Sequence, residues 1–350
     1  LDRRLAIMRP HEPGAWADLG ADYGKTPIGT GPYRISIWDN EKIIGTAFED
    51  GWRVPHIKNL DIRGLPENAS RLQALCSGQI DIANQLTPDD TATIEGCGRK
   101  VVLSPTNNTV NLILRHMAEG SPVADVRVRR AMNYAFDKQT FIDTVLQGTT
   151  RTAGQPATHR MSGFQEDIGA YPYDPDKARS LLAEAGYPNG VDLMAEIVVT
   201  TGEFKDTFQA MSADLKKVGI NLELRVITIP DLVSKILGQK DWEGDGFSMM
   251  YEGYPSADIS RPMNTHSCIF FNKHTCFEEI MPTINAMNGE FDKAKRAALQ
   301  REIMQFYHEQ ATAVYSHERI QLVLILLPTQ ESIKPGIHSP LGLSHTAAHC

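Results

Sequence analysis

Residues 174–229 carry the pattern that most constrains the fold. Asp174 followed by Pro175 provides a helix N-cap with proline at the first helical position. The run Leu181-Leu182-Ala183-Glu184-Ala185 ends at Gly186, with Pro188 beyond it. Residues 191–200 then read as a strand, 203–218 as a helix ended by Gly219, and 220–229 as a second strand of alternating type. Such a strand, helix, strand unit favours a parallel pair with a right-handed crossover, because a parallel connection needs enough chain to return along the sheet. A parallel sheet needs helices to cover it, so the expected class is α/β.

The remaining punctuation agrees. Residues 33–38 and 57–62 alternate apolar and polar as half-buried strands do, and 66–70 open a short helix with Leu72, Ala74 and Leu75 inward, stopped by Gly78 before a strand at 80–83. Asp125 and Asp137 are suited to cap two consecutive helices, and Gly148 stands where a left-handed residue is wanted. A helix over 231–237, a buried strand over 247–251, a loop over 252–262 and a long helix over 292–310 follow, while 1–28 read mostly as loop. No solenoid repeat occurs, and 350 residues are enough for about two domains. The longest apolar stretch, 320–327, is interrupted by Gln321 and falls far short of the ~20 residues of a membrane helix. A net charge of -8 gives no electrostatic reason to bind nucleic acid.

Local enzyme signatures are missing: there is no nucleophile elbow, phosphate-binding loop or zinc-protease pair. Gly29-Thr30-Gly31 begins a dinucleotide fingerprint but runs into Pro32 and Tyr33 without the third glycine. Five cysteines stand at 76, 97, 268, 276 and 350. His266-Ser267-Cys268 and His274-Thr275-Cys276 repeat a His-x-Cys pattern, and on a hairpin these four side chains would converge on a zinc or nickel ion. Cys268 and Cys276 equally suit a disulfide across a loop, and the lack of the usual short zinc-ligand spacings favours that reading. Cys76 and Cys97 read either as free thiols or as a pair. His338, His345 and His349 near Cys350 read as a terminal tail, and Asp89-Asp90 and 241–245 as solvated acidic surface. Tyr251-Glu252-Gly253-Tyr254-Pro255-Ser256-Ala257-Asp258 differs in kind: it sets rings and a carboxylate at the carboxyl end of a strand, where α/β folds bind ligands.

Four segments in register resemble the family 5 extracellular solute-binding proteins of ABC importers, the dipeptide, oligopeptide and nickel-binding group. They are Pro27-Ile28-Gly29-Thr30-Gly31-Pro32-Tyr33; Arg71-Leu72-Gln73-Ala74-Leu75 with Ser77-Gly78-Gln79-Ile80-Asp81; Asp125-Val126-Arg127-Val128-Arg129-Arg130-Ala131-Met132-Asn133-Tyr134-Ala135-Phe136-Asp137; and Tyr173-Asp174-Pro175 through Ala185-Gly186-Tyr187-Pro188-Asn189-Gly190. The resemblance implies an α/β, two-lobed periplasmic-binding-protein-like fold of the cluster C type. Its first lobe, 29–110, is partial, its second is 111–320, and 321–350 return to the first lobe and end in a tail. Family members are longer at the N-terminus, so 1–28 is expected as a connection from that part.

The implied function is the substrate-binding component of an importer, in the periplasm or at the cell surface. It would hold a peptide or other small organic solute between lobes for a transmembrane permease, with no cofactor, nucleic acid or covalent chemistry. Tyr251, Tyr254 and Asp258 would line the second-lobe side, with Asp258 matching the aspartate that holds a peptide amino group. Asn107 and Asn108 would offer amide contacts near the crossover, and hinge strands are expected near 110–114 and 321–326. Dipeptide binders also place an arginine for the peptide carboxylate near the segment matching 200–203, where this chain has none. A carboxylate favours a bidentate guanidinium, so the sequence argues against a short peptide with a free C-terminus and leaves a longer peptide, an opine or a sugar conjugate.

Overall fold

The computed structural model describes residues 29, 31–199 and 202–325. The readings made on 1–28, on Thr200 and Thr201, and on the histidine-rich 326–350 with Cys350 lie outside the described residues. The chain divides into two compact units, 1–80 with 326–350 and 81–325.

In the smaller unit, β1 (Tyr33–Trp38), β2 (Lys42–Ala47) and β3 (Asn59–Arg63) form an antiparallel sheet in that order. Asp39 Oδ1 accepts from the amides of Glu41 and Lys42, both at 2.8 Å, which turns the chain tightly between β1 and β2. Strand β2 carries no periodic signal, because its alternation is broken by Ile43-Ile44. Gly45 lies at the center of β2, where a Cβ would meet Ile35 Cδ1 at 3.1 Å and the Arg34 carbonyl at 3.2 Å. Helix α1 (Asn68–Cys76) buries Ala74 and Leu75, as its periodicity predicts.

The larger unit is built on a seven-stranded sheet. Its strands are β4 (Ile82–Leu86), β5 (Lys100–Leu114), β6 (Val191–Ile197), β7 (Ile220–Val226), β8 (Gly246–Ser248), β9 (Tyr251–Glu252) and β10 (Ala313–Ile325), in the order β4-β10-β5-β8-β6-β7 with β9 beside β5. Its helices are α2 (Thr91–Gly96), α3 (Val126–Ala135), α4 (Lys138–Thr144), α5 (Pro175–Glu184), α6 (Gly202–Lys217), α7 (Ile229–Ile236), α8 (Ser260–Thr265), α9 (Met281–Gly289) and α10 (Lys293–Glu309). β6 and β7 are parallel from Val191↔Ile220 to Ile197↔Val226, with α6 as their connection. Phe204, Phe208, Met211 and Leu215 of α6 recur at helical spacing and are buried on the sheet. Each such side chain, when fully buried, contributes roughly 1.5–3 kcal/mol. Gly190 and Gly219 precede the two parallel strands with φ of 96° and 92°. A Cβ on Gly190 would stand 2.4 Å from the Gly219 carbonyl oxygen, so the close start of the pair requires glycine.

Local chemistry sets the helix starts. Asp125, Asp137, Asp174 and Asp292 accept from the amides of Arg127, Thr140, Lys177 and Lys295 at 2.8, 3.1, 2.8 and 2.9 Å. Side chains alternate between two cores, with Leu112 and Val314 packing under α3 to α6, and Ile113, Ala313 and Tyr315 under α9 and α10. The acidic segment 241–245, expected as solvated surface, is partly structural: Asp245 accepts from Ser121 Oγ at 2.5 Å and from the Met194 amide at 2.8 Å.

The units part at Ile80/Asp81, earlier than the expected boundary at 110, because β4 pairs with β10 and so joins the large sheet. Residues 321–325, expected as a return to the first lobe, complete β10 between β4 and β5.

Candidate functional site

β5 and β10 are the longest strands, and they pair antiparallel from Ala313↔Ile113 to Ile325↔Lys100. The register shifts twice, between Tyr315 and His317 and again between Glu318 and Ile320. Bulges of this kind re-aim side chains, and here they occur within Ser316-His317-Glu318-Arg319. Residues 149–151 strap the bulged segment: Thr150 Oγ1 donates to the Glu318 carbonyl, and the Glu318 amide donates to the Arg151 carbonyl at 3.0 Å. Across the ladder, Thr106 Oγ1 donates to the Arg319 carbonyl at 2.9 Å.

Two adjoining recesses open on this segment and share Thr149, Thr150, Arg319 and Ile320. One also reaches Glu203 and His317, the other Thr106, His159 and Glu318. Their polar groups are ordered by one another. The Ser316 hydroxyl lies 2.9 Å from His317 Nδ1, and His317 Nε2 lies 2.9 Å from Glu203 Oε1. With the hydroxyl donating to Nδ1, the imidazole proton sits on Nε2 and is donated to the carboxylate. Glu318 accepts from the His159 amide at 2.8 Å and meets His159 Nδ1 at 2.5 Å. Arg319 is 9% exposed, its guanidinium carbon 5.2 Å from the Phe204 ring center and its Nη1 3.9 Å from Met250 Sδ. Its Nε stands 3.7 Å from Glu203 Oε2, too far for a hydrogen bond, and finds no acceptor among the described residues.

The residues expected at the site from sequence are distributed differently. The loop after β9 does return to β5, with the Gly253 amide donating to the Asn107 carbonyl at 2.7 Å. A Cβ at Gly253 would lie 2.6 Å from Met161. Tyr251 is fully buried, its hydroxyl 2.9 Å from Thr312 Oγ1 and its ring against Tyr315, and burial raises its pKa. It is therefore a core residue behind the loop and presents no surface to a solute. Asp258 accepts from the Ser260 amide at 2.8 Å, Arg296 Nη2 at 2.8 Å and Gln300 Nε2 at 3.1 Å. Desolvation pushes its pKa up, but the Ser260 bonds and the Arg296 ion pair outweigh this and hold the carboxyl below its ordinary value. Asn108 is 2% exposed, with Oδ1 unbonded among the described residues, while Asn107 and Tyr254 are partly exposed.

The His-x-Cys repeat resolves into a disulfide, Cys268–Cys276. His266 Nδ1 lies 3.0 Å from His274 Nε2, and burial depresses both imidazoles, His274 to about 4. Both histidines are buried, and the metal alternative is not favoured, because the two sulfurs are joined to each other. The cluster Cys268, Cys276 and Glu278 contains the same two bonded sulfurs. Cys76 and Cys97 are disulfide-bonded as well, which removes the free-thiol reading.

Sequence reasoning missed Arg319, His317, Glu318, Glu203 and His159. The signal was four polar residues, 316–319, leading directly into an apolar strand. The segment near 200–203 has no arginine of its own, and the fold brings Arg319 to Glu203 from 116 positions along the chain.

The family described as "Bacterial extracellular solute-binding proteins, family 5 Middle" matches residues 4–272. Heme-binding protein A of Haemophilus influenzae is 27% identical over 332 residues, covering 90% of this chain and 58% of that protein. The dipeptide-binding protein of Escherichia coli K12 is 26% identical over 336 residues, covering 91% and 60%. Among solved structures, the ABC transporter-associated periplasmic binding protein DppA from Helicobacter pylori, in complex with the peptide STSA, superposes with a TM-score of 0.79 at 21% identity, covering 90% of this chain and 63% of that one. The chain therefore spans about three-fifths of the length of these relatives. The expected fold class, α/β of the two-lobed periplasmic-binding-protein type, is borne out.

Proposed function

The chain belongs to the family 5 bacterial extracellular solute-binding proteins, and we propose that it is the substrate-binding component of an ABC importer. It captures a peptide or other small organic solute in the periplasm or at the cell surface and delivers it to a transmembrane permease. One observation carries this reading: the polar recess on the bulged β5–β10 ladder, where a buried guanidinium with an unbonded Nε stands beside threonine hydroxyls and two histidine–carboxylate pairs. Such convergent polar groups in a concavity suit the orientation of a small ligand. A dipeptide-binding relative and a structural neighbour holding a peptide support a peptide-like solute. Asn107, next to Thr106 on β5, and Tyr254, just after Gly253, are proposed further contacts. Asp258, Tyr251 and Asn108 shape the loop and strand behind them. No bond of the solute needs to be made or broken.

Isothermal titration of the full chain with di- to tetrapeptides, opines and sugar acids is expected to give saturable one-to-one binding to at least one class. A chain that ignores all of these and saturates with Zn2+ or Ni2+ would refute the proposal.

A further inference from the structure

We propose that the part of the solute held in the recess is polyhydroxylated, a sugar or a sugar-derived chain, selected by its hydrogen-bond donors and not by its charge. This deepens, and rests on, the reading of the recess as the solute site. Four threonines line the two recesses, and each has already committed its proton. Thr87 Oγ1 donates to Asp90 Oδ2 at 3.0 Å, Thr106 Oγ1 to the Arg319 carbonyl at 2.9 Å, Thr149 Oγ1 to the Leu146 carbonyl at 2.6 Å, and Thr150 Oγ1 to the Glu318 carbonyl. A hydroxyl has one proton, so these four oxygens can now only accept. His159 gives its Nδ1 proton to Glu318, which leaves the neutral ring a bare Nε2. Glu203 Oε2 is an acceptor too, since His317 engages only Oε1. Facing these acceptors is one buried donor without a bond among the described residues, Nε of Arg319, 3.7 Å from Glu203 Oε2.

Such a lining suits a group that gives several protons and takes one hydrogen bond. A carboxylate would satisfy Arg319 Nε, but it brings no proton to the acceptors and adds a third negative charge beside Glu203 and Glu318. An ammonium group supplies protons, but it leaves Nε unbonded and lies against the guanidinium. A hydroxyl does both. It accepts from Nε and donates to Glu203 Oε2, while its neighbours on the same carbon chain donate to the threonine oxygens and to His159 Nε2. A neutral polyol also leaves the charges of the recess as they stand, with no counter-charge demanded of the solute. The threonine hydroxyls are held by backbone carbonyls and by Asp90 before any solute arrives, so little side-chain freedom is lost on binding.

The test is calorimetric titration of the full chain with alanine carrying one of three N-substituents of equal chain length: 1-deoxyglucityl, the same chain fully O-methylated, and hexyl. The O-methylated chain keeps every acceptor and loses every hydroxyl proton. The free polyol is expected to bind about tenfold to a hundredfold more tightly than either of the others. Thr106→Val and Glu203→Gln should each lower that preference by about threefold to tenfold and leave the hexyl compound unaffected; thermal melts establish that each variant is folded. A polyol that binds no better than the O-methylated or the hexyl chain overturns the choice of hydroxyl donors, as do di- to tetrapeptides that bind where the polyol conjugate does not; both results leave the solute reading standing. Variants that weaken all three compounds alike overturn the assignment of the preference to these side chains. If neither the alanine series nor the peptides bind, the reading of the recess as a solute site falls, and this inference with it.

Discussion

Replacing Asp258 with alanine separates its two candidate roles, holding a solute amine or holding the fold. The substitution removes acceptors from Ser260, Arg296 and Gln300 at once. The ion-paired side chains are 17% and 23% exposed, so solvent screens the pair only in part. Hydrogen bonds to charged groups contribute about 1.5–3 kcal/mol, and stranding a buried partner costs about 3–5 kcal/mol. Arg296 also donates to the Met287 carbonyl, which softens its loss. The expected destabilisation is therefore about 2–4 kcal/mol, a fall in melting temperature of about 5–12 °C. Asp258→Asn keeps an acceptor and loses the charge, so about half of that is expected.

The pH dependence has a definite sign. A carboxyl held below its ordinary value in the folded state contributes stability that is fully present above its unfolded pKa of about 4. That contribution is lost as pH falls through the lowered folded value. The difference between wild type and Asp258→Asn should stay level from about pH 7 to 5 and shrink below about 4. Urea unfolding at a series of pH values measures it, beside titration with the peptides above. An alanine variant as stable as wild type that has lost peptide binding would refute the structural assignment.

Two further outcomes follow from geometry already described. The Cys268→Ser, Cys276→Ser double variant opens a loop closed across a sequence separation of 8; chain entropy predicts a loss of about 2.5 kcal/mol in urea unfolding, and added Zn2+ should not restore it. His274 stays neutral in the fold down to about pH 4, whereas the unfolded imidazole takes a proton near 6.5. Stability should therefore decline as pH falls from about 6.5 toward 4, and His274→Asn should flatten that part of the profile; an unchanged slope would remove His274 as its source.

What the sequence made legible was local. Asp125, Asp137, Asp174 and Asp292 cap helices because a side-chain oxygen reaches an amide two or three residues on, and Gly186 and Gly219 stop helices by tolerating positive φ. The parallel pair was legible because a helix between two strands leaves few alternatives. Strand β2 was not, since Ile43-Ile44 hides its period. The site was the least legible part. Asp258 was expected to hold a solute amine, whereas α10 supplies Arg296 to it, and Arg319 carries no local signal, since it reaches Glu203 only across two register shifts of the β5–β10 ladder. Both depend on partners far along the chain, which composition and spacing do not report.

The ladder that carries the recess also fixes when the recess can exist. Thr106 and Arg319 meet across it from 213 positions apart. Closing so long a loop is entropically costly, and contacts of this separation form slowly. β10 supplies Val314 to one helical core and Ala313 and Tyr315 to the other, so neither core is complete until β10 lies between β4 and β5. Helices α3 to α6 and the β6–β7 pair are assembled from neighbours in sequence and can form earlier. A chain stalled before β10 docks has Glu203 but no Arg319 beside it, so the proposed recess and the two cores are completed by the same strand.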